Sequence, residues 1–154
     1  LTTVTHAELG EKTFGVSPGF AELWVTLRTV TDTRMDTLVD AVSHHVAVCA
    51  EAQGLTYHMT YHDVFEACTN ASDAVALLET ACKAEDVPIT LTDTPQAFSE
   101  DFGQFGKSAQ SAMFWLGAGE DQPQLHNPDY DFPDQLIESA STMFTGIIQQ
   151  LHHY

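Results

Sequence analysis

Hydrophobic and polar residues alternate cleanly from Phe20 to Arg28. Ala21, Leu23, Val25 and Leu27 fall on one side, and Glu22, Trp24, Thr26 and Arg28 on the other. A period of two is the mark of a strand with one face buried. Thr2 to Leu9 reads as a second strand, with a turn around Gly10 to Gly19 between the two. From Thr31 or Asp32, either of which can cap a helix, the period changes to three and four. Met35, Leu38, Val39, Val42, Val46 and Cys49 then line one face, and Gly54 closes the helix as a C-terminal cap. Leu55 to His62 alternates again, with Leu55, Tyr57, Met59 and Tyr61 inward. The order strand, strand, helix, strand predicts an antiparallel sheet with helices on one face.

The pattern shifts after Phe65. Asn70 or Ser72 caps a helix whose apolar positions are Ala74, Val75, Leu77, Leu78, Ala81 and Cys82. Val87 to Leu91 reads as a short strand. Ser99 caps a short helix, with Glu100 and Asp101 in its first turn, where the positive helix end favours acids. Ala112 to Leu116 is a continuous apolar run, the signature of a strand covered on both faces. A polar loop from Gly117 to Asp134 follows, and Pro133 opens a last helix at a position proline tolerates. Leu136, Ile137, Ala140, Met143, Phe144, Ile147, Ile148 and Leu151 form its expected buried stripe. The second half is therefore an α/β layer. The boundary falls near Glu66 to Asn70, which divides the chain into 1–67 and 68–154.

Composition narrows the class. At 154 residues, 44% of them hydrophobic, the chain can bury a core. It holds no apolar run near the roughly 18 residues of a transmembrane span, and no signal peptide. The chain opens on Leu1, inside an expected strand, which reads as a fragment or processed product. Asp and Glu total 22 against 5 Lys and Arg, for a net charge of −17. Such a surface repels phosphate and anionic lipid, which argues against nucleic-acid and membrane partners and for solubility. The cysteines, Cys49, Cys68 and Cys82, are odd in number and have no CxxC spacing. They imply neither a disulfide framework nor a zinc knuckle, and they fit a reducing cytoplasm. Cys49 and Cys82 read as small core residues.

Among the histidines, His58 and His62 lie four strand residues apart, roughly 13 Å. His44 and His45 point about 100° apart on a helix. His152 and His153 sit at a terminus, and His6 has no visible partner. His126 differs in context. It follows a buried run and a glycine pair, Gly117 and Gly119, with Asp129, Asp131 and Asp134 close by. A neighbouring carboxylate can orient a metal-bound imidazole, so His126 is the candidate ligand or acid–base group. Glu100 and Asp101 serve equally well as first-turn acids. Arg28 ends a strand in an arginine-poor chain and is the candidate for gripping a carboxylate. The chain has no GxSxG, P-loop, HExxH or dinucleotide fingerprint.

Three segments in order carry a family likeness. Phe14 to Arg28 resembles the lid-domain strand of the metal-dependent aminoacylase/carboxypeptidase family, which includes hippurate hydrolases, auxin-conjugate amidohydrolases and related zinc peptidases. Ser99 to Phe102 resembles that family's acidic helix-start motif, and Leu125 to Phe132 its C-terminal metal-ligand motif. The resemblance implies an α/β catalytic domain that holds two divalent ions, usually zinc with manganese as the alternative, and an inserted lid domain that mediates homodimerisation. It implies that residues 1–67 are part of the lid and 68–154 the C-terminal part of the catalytic domain. It further implies His126 as a ligand of one metal, Arg28 as a contact for the substrate carboxylate, and Glu100 near the metal centre. Where the family often carries asparagine this chain has Gly15, a departure that bears on substrate contacts there.

The expected function is the hydrolysis of amide bonds in N-acyl amino acids or small peptides. The N-terminal portion that would carry the remaining ligands and the general base is not in these 154 residues. Water activation needs an ion held by about three protein ligands, so the segment alone is expected to be inactive. The rival is a non-catalytic α/β module that binds a small ligand or dimerises through its strands.

Overall fold

The computed structural model describes residues 1–152; His153 and Tyr154 lie outside the described residues. The fold is α/β, a two-stranded antiparallel sheet with helices. The chain forms two compact units, one of Leu1–Ala67 with Pro95–Ser99, the other of Cys68–Thr94 with Glu100–Tyr154.

The first unit is built on β1 (Thr2–Leu9) and β2 (Ala21–Leu27). Their pairing runs Thr2 to Leu27, Thr3 to Thr26 and Val4 to Val25, then skips Thr5 so that His6 faces Trp24 and Ala7 faces Leu23. The skipped residue is a bulge, and it has a consequence for the faces. Val4 and Ala7, three apart, would point to opposite sides of a regular strand; the extra residue brings both onto the Leu23–Val25 side. On the other side the His6 and Trp24 rings meet edge to face, 5.8 Å between centroids. Neither side is covered: Val4 is 59% exposed and Leu23 61% on one, and Trp24 60% on the other.

Helix α1 (Asp32–Gln53) begins at Thr31, whose side chain accepts from the Arg34 amide, and ends at Gly54 in the left-handed conformation. A glycine there avoids the steric cost of a Cβ. Met35, Leu38, Val39, Val42 and Val46 are half-buried, and Ala50 is buried. Cys49, expected in that stripe, is exposed. The stripe drifts around the helix by the fraction of a turn that separates 3.6 from 3.5, so its last member is Ala50.

The second unit centres on α2 (Ser72–Ala84) and α3 (Gln135–His152). Leu78, Ala81 and Cys82 from α2 and Met143 from α3 are its buried hydrophobic side chains. Gly146, which carries no hydrophobic signal, is buried too; a Cβ there would meet the Glu85 side chain at 3.4 Å and Ala81 Cβ at 3.7 Å. These are ordinary van der Waals distances, so the two elements are in close contact here and a methyl group would still fit. Leu136, Ala140 and Ile147 of the expected α3 stripe are half-buried, whereas Ile137, Phe144, Ile148 and Leu151 are more than half exposed. Pro133 sits in the turn that leads into α3, its carbonyl accepting from the Leu136 amide at 2.9 Å.

Three segments expected as strands are irregular: Leu55–His62, Val87–Leu91 and Ala112–Leu116. Alternation says which way side chains point; a strand also needs a neighbour for its backbone. Leu55–His62 is held instead by a side chain, with Tyr61 and Ser43 hydroxyls 2.9 Å apart. Ala112–Leu116 finds a substitute neighbour in Asn70. The Asn70 amide donates from Nδ2 to the Met113 carbonyl and accepts at Oδ1 from the Met113 amide, both at 2.8 Å. The adjacent Ala71 amide donates to the Ser111 carbonyl at 2.8 Å. Asn70 thereby imitates a paired strand residue. It is consumed in this role, so α2 has Ala71 at its N-cap and no side-chain cap.

Candidate functional site

The loop that carries His126 is a pair of linked turns. The Asn127 amide donates to the Gln124 carbonyl and the Tyr130 amide to the Asn127 carbonyl, each at 3.0 Å. Gln122 Nε2 donates to the Asp131 carbonyl across the loop. Within the first turn His126 is the third residue, with φ of 73°. Left-handed backbone is uncommon outside glycine, and histidine, like asparagine and aspartate, adopts it more readily than other residues, so the turn suits the residue type. The imidazole is exposed. Asp129, Asp131 and Asp134 are close in sequence, yet among the described residues none accepts a hydrogen bond from the ring. The turn therefore presents the ring to solvent rather than tying it into the loop.

Glu100 lies at the start of a seven-residue 3-10 helix, Asp101–Lys107. It occupies the N-cap position with extended backbone and makes no capping hydrogen bond. Its charge acts on Cys68. Partial burial of the thiol, followed by the Glu100 carboxylate, pushes Cys68 above its ordinary range. A cysteine 32 residues before the acid is not a partner that spacing can reveal. Ser99, expected as the helix cap, is used elsewhere. Its hydroxyl accepts from Arg28 Nη1 at 3.3 Å, and the same nitrogen donates to the Ala97 carbonyl at 2.9 Å. The end of β2 thus secures Pro95–Ser99 to the first unit through two neutral oxygens.

Gly15 has φ of 77°, and nothing lies within 4 Å of where its Cβ would be. The position demands left-handed backbone, which glycine and asparagine both supply readily. Asparagine would be strained there less than most side chains but more than glycine, and would add a side chain at that point.

Metal binding can be tested against the donors themselves. Among the described residues no group of three or more His, Cys, Asp or Glu side chains is arranged to hold an ion. His126 offers one imidazole, and a catalytic ion is held by about three protein ligands. The donor set of the described residues does not fit a complete site. An open depression of about 370 Å³ lies along α3, lined by Glu85, Glu138, Ser141, Thr142, Thr145 and Gln149. It includes none of Arg28, Glu100 or His126. No described helix is long and apolar enough to cross a membrane.

No curated protein and no solved structure matches this chain. The model of one family does, over residues 3–150, a span that takes in Arg28, Glu100 and the His126 turn. A match over nearly the whole length identifies the chain as a member of peptidase family M20/M25/M40, a hydrolase family that is generally metal-dependent.

Proposed function

We propose that this chain is the C-terminal portion of a metal-dependent amidohydrolase of the hippurate hydrolase or auxin-conjugate type. The intact enzyme acts in the cytoplasm on the amide bond of an N-acyl amino acid or small peptide. Residues 1–67 form part of a lid domain through which two copies pair, and residues 68–154 complete the catalytic domain. His126 is a ligand to one of two divalent ions, zinc by preference and manganese as the substitute. Arg28 engages the substrate carboxylate, for which a guanidinium offers paired donors. Glu100 stands near the metal centre.

The observation that supports this reading best is the His126 turn. Within the span matched to a hydrolase family, the residue in the metal-ligand motif is an exposed imidazole on left-handed backbone. Two linked turns hold that backbone, and the exposed ring is accessible to an ion. Arg28 holds Ala97 and Ser99 through neutral acceptors, which leaves its charge to be matched by an anion that binds more strongly than a hydroxyl.

One donor cannot retain a catalytic ion, so the chain by itself is expected to turn over no N-acyl amino acid, with zinc or with manganese. The assay is release of free amino acid from N-acyl substrates by the purified chain. Metal-dependent hydrolysis above the no-enzyme rate would overturn the proposal.

A further inference from the structure

Helix α1 carries a donor pair that the hydrolase reading does not use. His45 and Cys49 are four residues apart, so one turn of helix stacks them on the same face. Cys49 Sγ lies 3.6 Å from His45 Nε2, and both side chains are exposed. Sulfur is a poor hydrogen-bonding atom, so little energy is gained by this contact as a thiol–imidazole bond. The separation has a second meaning. A tetrahedral ion bound at ~2.3 Å to sulfur and ~2.0–2.1 Å to nitrogen sets those two atoms roughly 3.6 Å apart. The donors already stand at the span of a chelate, on a regular helix that holds them there.

We propose that His45 and Cys49 form a surface chelate for one thiolate-seeking divalent cation of the zinc class. On binding, the Cys49 thiol releases its proton to water, and the thiolate and the unprotonated imidazole nitrogen each donate an electron pair to the ion. Water fills the remaining positions. The net charge of −17 raises the local concentration of cations at the surface and favours capture. Two donors make this a weaker site than a structural zinc centre, suited to reversible loading rather than to folding. The inference stands independently of the hydrolase reading, because the His126 turn offers no sulfur.

Cobalt tests it, because a thiolate bound to cobalt gives a near-ultraviolet charge-transfer band that imidazole and carboxylate ligands do not. The reduced chain titrated with cobalt is expected to develop this band at one ion per chain, and zinc is expected to bleach it. Cys49→Ser abolishes the band. His45→Ala weakens cobalt binding by roughly tenfold or more. Cys68→Ser and His126→Ala leave the band in place. Both chelating residues are exposed, so the variants keep their helical circular dichroism. Protection of Cys49 from alkylation by zinc, present in the native chain and lost in His45→Gln, provides a second reading. Absence of the band, its survival in Cys49→Ser, or unchanged affinity in His45→Ala would overturn the proposal.

Discussion

The β1–β2 ribbon and the α2–α3 pair have equally regular hydrophobic patterns and opposite fates. In the ribbon, β2 alternates strictly and the bulge at Thr5 keeps Val4 and Ala7 of β1 on one side, yet Val4 and Leu23 remain more than half exposed. In the helix pair, Leu78, Ala81, Cys82 and Met143 are all below a tenth exposed. The difference is the partner. Helix α2 packs directly on α3, with Ala81 against Gly146, and among the described residues no element buries the ribbon to that degree. A periodic pattern sets out a face; only a neighbour converts it to stability.

The contrast has a direct test in truncation. Leu78→Ala is expected to cost about 2–4 kcal/mol, measured by urea denaturation followed by circular dichroism, because it leaves a cavity among packed side chains. Val4→Ala, on the open ribbon, is expected to stay within about 0.5 kcal/mol. A large loss at Val4 would mean that the ribbon face is covered in solution.

Asn70→Ala comes next in size. It removes both bonds to the Met113 backbone, and a loss of about 1–3 kcal/mol is expected. Asn70→Asp keeps an acceptor for the Met113 amide but no donor for its carbonyl, so it should recover only part of that stability. Full recovery would show that the bond to the carbonyl contributes nothing.

Glu100→Gln has a smaller, chemical effect. Removing the carboxylate charge lowers the Cys68 pKa, since the thiolate is no longer repelled, while burial still holds it above the ordinary value. In a Cys49→Ser background, alkylation of Cys68 at mildly alkaline pH should therefore quicken. No change in rate would show that the carboxylate does not act on the thiol. Gly15→Asn should cost about 1 kcal/mol by the same urea measurement, because the space is open but left-handed backbone strains any side chain, asparagine less than most.

Local structure was legible where one short stretch of chain decides it. The span of β1, the Thr31 and Gly54 caps of α1, and the existence of α2 and α3 all follow from period and capping chemistry. The misses are non-local. Leu55–His62 and Ala112–Leu116 have strand patterns without a strand to pair with, and the substitute, Asn70, lies 43 residues from Met113. Cys49 falls one step outside the buried arc, and Gly146 is buried because it lacks a side chain. The candidate site divides in the same way. Glycines and prolines mark the His126 loop as a turn, but a metal site draws donors from distant parts of a sequence. Nothing near Arg28 in the chain announces Ala97, 69 residues on.

The central claim is that His126 holds a metal ion in the intact hydrolase, and metal analysis tests it most directly. His126→Ala in the enzyme that carries the complementary catalytic segment is expected to lose about one bound ion per chain after dialysis, with amide hydrolysis reduced at least a hundredfold. Unchanged metal content with unchanged turnover would contradict the account and favour a non-catalytic role for the loop.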